Sequence, residues 1–371
     1  MIDELNESIN KLKKVIHTTQ TTYSIAEILS LYRDNELILR PQYQRFFRWS
    51  PLQKAKLIES ILLDIPMPIF FVYSTSEGAF EVIDGLQRLS TIFEFIAQPI
   101  TEGPKSFLRD ENDNFKEALK LNLTESKLEF ENLGWHDLGI ELQRKFKQYR
   151  LVLSVIKDTS QEDTKYDLFQ RLNSGGTPLS GQESRNCLMI MLKDGLYEFI
   201  SGLTKSSESF TEMIDISENQ KYQSYPDQLA TWFSALFIYD VYSGNKNQNS
   251  EEYLDAVIKN YFREIIRHKT NIEACFTFTM RTLNKLKGKE AFKTLSSKGV
   301  ESGAFNLTCF IALSLYFISI YKKSNNAVPE IDQGILEKNI QTIKEFVKSK
   351  PRGIRTIAFI AEINRKANEF C

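Results

Sequence analysis

The sequence predicts an α+β N-terminal domain followed by an all-helical one. Short strand patterns alternate with capped helix starts up to about residue 194, and strand signals fade beyond Gly195. From there apolar residues recur at helical spacing. The expected domains are therefore residues 1–194 and 195–371, the first carrying a polar, poorly periodic insertion with small helices over about 101–146.

The elements follow in order. Ser24-Ile25-Ala26-Glu27 is a capping box, in which serine and glutamate satisfy each other's backbone N–H groups, and it predicts a helix from about Ile25 to Tyr32. A short strand is expected at Leu37 to Leu39. Ser50-Pro51-Leu52-Gln53 starts a second helix, with proline at the first helical position, where its missing N–H is harmless. Leu57, Ile58, Ile61 and Leu62 mark its buried face, and Pro66 and Pro68 end it. Ile69 to Tyr73 and Phe80 to Ile83 read as a hairpin around Ser74 to Gly78. A helix pattern runs from Leu89 to Ile96, and Tyr149 to Ile156 alternates as a strand. A helix is expected over Gln161 to Leu172, then a turn at Asn173-Ser174-Gly175-Gly176-Thr177-Pro178. Ser180-Gly181-Gln182-Glu183 is a third capping box, opening a helix to about Leu192. Beyond it, Tyr225 to Tyr242, Glu251 to Arg267, Ile272 to Leu286, Asn306 to Tyr321 and Asp332 to Ser349 read as helices. Gly353 to Ile363 reads as a core-facing terminal helix.

Bulk properties narrow the function classes. The 371 residues are 42% hydrophobic and 26% charged, which excludes wholesale disorder and supports a sizeable core. With a net charge of −1 the whole molecule is no polyanion binder, so any nucleic-acid surface must arise from local clustering. Cys187, Cys275, Cys309 and Cys371 lie far apart without a CxxC or a nearby histidine pair, which argues against zinc and fits free thiols in a reducing, cytoplasmic setting. The acidic start Met1-Ile2-Asp3-Glu4 has no apolar core, so no signal peptide is expected. The apolar stretch near Cys309 to Tyr321 is too short for a bilayer and reads as a buried helix; no membrane partner is expected.

Three segments carry unusual chemistry. Asp84-Gly85-Leu86-Gln87-Arg88 lies where a strand pattern gives way to a helix pattern. Gly85 can take positive φ or let a ligand approach the backbone. The helix start offers unpaired N–H groups at the positive end of its dipole, and Arg88 can fork onto phosphate oxygens. Asp84 can hold a cation or orient a water. The second segment, Arg40-Pro41-Gln42-Tyr43-Gln44-Arg45-Phe46-Phe47-Arg48-Trp49, interleaves arginines with aromatics and suits anion binding with stacking on a planar base. The third, Phe169-Gln170-Arg171-Leu172-Asn173-Ser174-Gly175-Gly176-Thr177-Pro178-Leu179-Ser180, could close over phosphates or complete a cation's oxygen shell. Taken singly, each also has a structural reading, as a turn, as cation–π packing and as a loop. Their joint occurrence in one domain favours a site.

Together "PQYQRFFRW", "LIESILLDIPMPIFFVY", "FEVIDGLQRLSTIFEF" and "LFQRLNSGGTPLSGQESRN" resemble the N-terminal domain family of GmrSD-type restriction endonucleases, within the ParB/sulfiredoxin-like group. The blocks stand in the family's order over about residues 24 to 192. The family's usual motif reads Asp-Gly-Gln-Gln-Arg; here Leu86 takes the third position, which removes one amide. The resemblance implies a module of bacterial defence that binds and often hydrolyses a nucleoside triphosphate with Mg²⁺. On matching positions it assigns Asp84, Gln87 and Arg88 to the triphosphate site, with Gly85 in the turn and Gln44, Arg45 and Arg48 beside it. Arg171 and Asn173 would close the site, and Asp84 and Asn173 are the candidate metal ligands.

Relatives commonly carry a C-terminal HNH nuclease, which needs histidines in a strand–strand–helix unit. This chain has only His17, His136 and His268, none in such a pattern, so a stand-alone form with a separate nuclease partner is expected. Two basic runs mark the helical half. Arg281, Lys285, Lys287, Lys289, Lys293 and Lys298 face one acid, Glu290; Lys338, Lys344, Lys348, Lys350, Arg352 and Arg355 face Glu345. They form either a DNA-facing stripe or a solvated helix face. Three functional readings follow: a metal-dependent NTPase, a DNA-binding or nicking protein, and a non-catalytic interaction module.

Overall fold

The structure is a computed structural model that describes residues 18–39, 49–75, 77–96, 119–122, 131–157, 180–192, 195–214, 216–217, 220, 224–245, 247–349 and 356–369. The chain divides into two compact units, Met1–Leu179 and Ser180–Cys371. The division precedes the helix opened by Ser180 instead of following it at residue 194, because that helix packs with the helices of the second unit.

The first unit is a five-stranded mixed sheet with helices. Its strands are β1 (Thr18–Ser24), β2 (Leu37–Ile38), β3 (Phe70–Ser74), β4 (Phe80–Asp84) and β5 (Arg150–Ile156), in the spatial order β1-β5-β3-β4-β2. β3 and β4 form the expected antiparallel hairpin, β5 runs parallel to β3, and β2 runs parallel to β4. β1 has no counterpart in the sequence reading. It pairs antiparallel with β5 from Thr18↔Ile156 to Ser24↔Arg150 and shows no apolar alternation, because it is a solvent-facing edge.

Four α-helices are described in this unit: α1 (Ile25–Arg33), α2 (Pro51–Leu62), α3 (Leu86–Ile96) and α4 (Gly139–Gln148). Both serine boxes are in place: Ser24 Oγ accepts from Glu27 N–H and Ser50 Oγ from Gln53 N–H, while Glu27 and Gln53 reach back to the serine N–H groups. α2 packs against α3, and Lys54 pairs with Glu94 between them. Within the expected insertion, a 3₁₀ turn (Trp135–Leu138) and α4 are tied to α3 by Phe95, Trp135 and Phe146, whose ring centroids lie 5.5–5.9 Å apart. Burying each such ring contributes roughly 1.5–3 kcal/mol.

The second unit is helical: α5 (Gly181–Met191), α6 (Leu196–Lys205), α7 (Glu208–Met213), α8 (Tyr225–Phe237), α9 (Ser250–Arg267), α10 (Lys269–Lys287), α11 (Leu307–Lys323), α12 (Gln333–Lys348) and α13 (Thr356–Glu369). Every residue of α11 from Cys309 to Tyr321 is buried, as the reading of that apolar stretch as a core helix requires, and α8, α10, α12 and α13 pack around it. A two-stranded hairpin, β6 (Thr294–Leu295) with β7 (Glu301–Ser302), interrupts the helices; strands of two residues leave no periodic signal. The expected helix over Gln161 to Leu172 lies outside the described residues. None of the described helices is long and apolar enough to cross a membrane, and Cys187, Cys275 and Cys309 are buried free thiols.

Candidate nucleotide site at the β4–α3 corner

β4 ends on Asp84, Gly85 makes the turn, and α3 begins at Leu86. The helix therefore starts three residues before the expected Leu89, which puts Gln87 and Arg88 in its first turn. Unlike α1, α2 and α5, whose N-caps are serines with full capping boxes, α3 follows a glycine that has no side chain to cap it.

Backbone geometry fixes this corner. Gly85 has φ +97°, a region that L side chains rarely adopt, and a Cβ there would collide with the Phe70 ring and stand 3.1 Å from Arg88 Nη2. The β3–β4 ladder shifts register between Phe71↔Asp84 and Val72↔Val82, an irregularity beside Asp84 of the kind that re-aims a strand residue.

Arg88 is held on several sides. Its Nη1 donates to the Pro68 carbonyl, and its Nη2 donates to Asp84 Oδ2 at 2.8 Å and, longer, to the Ile69 carbonyl at 3.4 Å. The guanidinium also lies over the Phe70 ring, 4.3 Å from the centroid. A second Nη1 hydrogen and Nε–H remain without a partner among the described residues.

Asp84 keeps 28% of its side chain exposed against 11% for Arg88. Burial pushes the Asp84 carboxyl up, against the opposing pull of Arg88 and the Gly85 N–H. Burial likewise lowers Arg88, opposed by Asp84.

Gln87 accepts a hydrogen bond from Trp49 N–H through Oε1 at 3.3 Å. Trp49 directly follows the Arg40–Arg48 segment. β2, which precedes the segment in the chain, runs parallel to β4 beside Phe80 and Glu81. Gln44, Arg45, Arg48, Arg171 and Asn173 themselves lie outside the described residues.

Leu86, where the family motif has glutamine, is 5% exposed and sits among the buried residues of α3. The departure alters a core-facing position. Phe70 and the Pro68 and Ile69 carbonyls, which hold Arg88, carry no signal in the local sequence, since nothing in a strand pattern says that a turn glycine will rest on one of its rings.

Residues 25–190 match the family model described as the GmrSD restriction endonuclease N-terminal domain. The chain carries a GmrSD-type N-terminal domain. No curated protein and no solved structure matches it. The matched stretch holds Asp84 to Arg88, Trp49 and α5, so the GmrSD-type domain ends on a helix that packs within the second unit.

That last helix holds a polar cluster the sequence reading did not single out. Arg185 is fully buried and donates to Glu251 Oε2 at 2.6 Å, Asp255 Oδ1 at 3.0 Å and Gln182 Oε1 at 3.0 Å. Asn186 bonds Asp227 at 2.8 Å, and Gln182 bonds Asn186 and Thr231. Burial raises the Asp255 carboxyl despite Arg185. The basic runs are partly neutralised. Lys287 pairs with Glu301 at 3.1 Å and Lys293 with Glu290 at 2.8 Å. The Lys344 side chain is fully buried, with Nζ 2.8 Å from the Glu290 carbonyl, so it belongs to no exposed stripe.

Proposed function

We propose that this chain is the nucleotide-binding, NTP-hydrolysing component of a restriction-like bacterial defence system against foreign or modified DNA, working with a separate nuclease. The observation that carries this reading is the β4–α3 corner. A helix start preceded by a positive-φ glycine, a preorganised arginine with spare donors and a partly exposed carboxylate meet there, inside a GmrSD-type domain. Arg88, oriented in advance by Pro68, Asp84 and Phe70, would meet a phosphate at little entropic cost. Gln87 would couple the bound nucleotide to the Arg40–Arg48 segment through Trp49.

The donor set fits a cation brought by the triphosphate better than a resident metal. Asp84 is a single carboxylate, no group of three His, Cys, Asp or Glu residues able to hold a metal occurs among the described residues, and Mg²⁺ is commonly held by one or two carboxylates plus substrate phosphates. Asp84 would hold it, with Asn173 as the second candidate. When bound, Mg²⁺ neutralises charge on the phosphates.

The test is a thermal shift with each of the four common nucleoside triphosphates and Mg²⁺. One of them stabilises the protein by about 2.7 kcal/mol at a hundredfold excess over Kd, and Arg88→Ala removes the effect. Because Arg88 also holds Pro68 and Ile69, Arg88→Lys serves as a second variant that keeps the charge but loses the fork. No shift with any triphosphate overturns the assignment.

A further inference from the structure

One stretch of backbone bears on Arg88 without belonging to a helix or strand. Residues 65–69 lie between α2 and β3. α2 closes on a left-handed turn at Asp64, φ +55°, whose N–H donates to the Ile61 carbonyl at 3.1 Å, while the Ile65 N–H donates to the Ser60 carbonyl at 2.8 Å. From there the chain is stiff. Pro66 and Pro68 each lock φ at about −65°, bias the residue before them to extended backbone and supply no N–H. Side-chain packing does not hold this strap down, since Ile65, Pro66 and Pro68 are exposed.

Two side chains from distant parts of the sequence hold it instead, both through its carbonyls. At one end the Tyr149 hydroxyl donates to the Ile65 carbonyl at 2.6 Å. At the other the Arg88 guanidinium donates to the Pro68 carbonyl and, at 3.4 Å, to that of Ile69. Next in the chain comes Phe70, the ring under Arg88 and against Gly85. Tyr149 is itself firmly placed. It stands at the C-terminal cap of α4, its N–H donates to the Lys145 and Phe146 carbonyls, and its own carbonyl accepts from the Ile25 N–H at 3.0 Å. Burial pushes the Tyr149 phenol up, the Met67 backbone pulls it down and Asp64 adds to the rise, so the hydroxyl keeps the proton it donates.

We propose that Tyr149 is a positioning residue for the β4–α3 corner: it fixes residues 65–69 and, through the Pro68 carbonyl, the direction in which Arg88 offers its spare donors to a phosphate. This role rests on the nucleotide reading. A stiff strap pinned at one end alone swings about that end, and the Pro68 carbonyl moves with it. Near a reacting group a displacement of about 1 Å costs on the order of a hundredfold in rate. Loss of the Tyr149 hydroxyl therefore reaches Arg88, although its bond is to the strap and not to the arginine.

Two readouts on the whole chain test the role, each comparing the parent with Tyr149→Phe, which keeps the ring and loses the donor. The first needs no nucleotide. In nitrogen NMR of arginine-labelled protein, the Arg88 signals, assigned by their loss in Arg88→Lys, show slow rotation of the guanidinium, and Tyr149→Phe speeds that rotation. The second is titration with each of the four common nucleoside triphosphates and Mg²⁺, in which Tyr149→Phe raises the Kd of the one that binds about five-fold or more. Asn249→Ala removes the cap of α9 in the second unit and moves neither readout, which separates loss of position from general loss of stability. Arg88 signals unchanged by Tyr149→Phe overturn the proposal. A parent that binds a triphosphate, with the same Kd in Tyr149→Phe, overturns this role alone. A parent that binds none overturns the nucleotide reading and this role together.

Discussion

Gly85 is the residue on which the corner turns. Its φ of +97° and the Phe70 ring behind it leave no room for a side chain. Gly85→Ala is expected to destabilise the protein by about 2 kcal/mol or more, measured by urea denaturation. A loss below about 0.5 kcal/mol would mean that the turn relaxes freely. Asp84 yields a pH prediction. Its carboxyl is raised by burial, so the fold favours the protonated form. That contribution to stability is present in full below the unfolded value of about 3.9 and is lost as pH rises through the higher folded value. A Mg²⁺-bound triphosphate needs the ionised form. Its thermal shift should therefore fade, as pH falls, at a pH above 3.9. Fading only below that value would detach Asp84 from the cation. That acid, glycine and arginine stand together at a strand-to-helix turn was legible in the sequence, because the strand and helix patterns meet there. The use of Arg88 as a clamp on Pro68 and Ile69 was not, since those contacts come from how β3 lies beside β4.

Among the elements, legibility followed local physics. The boxes at Ser24, Ser50 and Ser180 fix their helix starts through contacts three residues apart, and all three stand where the sequence puts them. Ser180→Ala should cost about 1 kcal/mol in chemical denaturation. β1 was hidden because an exposed edge strand such as Thr18–Ser24 needs no apolar alternation. The short helices α6 and α7 were likewise not expected from the sequence. The buried Arg185 cluster was hidden for a different reason: its acids, Glu251 and Asp255, lie on α9, far along the chain. Arg185→Ala removes a buried cation from two carboxylates and should cost about 3 kcal/mol or more. Glu251→Gln, at a position half exposed, should change stability by less than about 1 kcal/mol. Comparable losses for the two variants would show that the cluster is held together by solvent-exposed charge and not by the buried guanidinium.

At the scale of the whole molecule, the α+β first unit and the predominantly helical second unit follow from where strand signals stop, and α11 explains why the most apolar stretch of the chain is a core helix. Charge could not be read so directly. A run of lysines in sequence looks like one stripe, yet Lys344 is buried and Lys287 and Lys293 are paired, while Arg281, Lys285, Lys289 and Lys298 are left to solvent.

The most direct test of the nucleotide reading is phosphate release from a panel of nucleoside triphosphates with Mg²⁺, measured alongside binding for the parent chain and for Asp84→Asn. The account predicts turnover of at least one triphosphate by the parent, and a variant that loses turnover by a larger factor than it loses affinity, because a cation or water ligand matters most in the transition state. Absence of both binding and release across the panel, or equal loss of both in the variant, would contradict it.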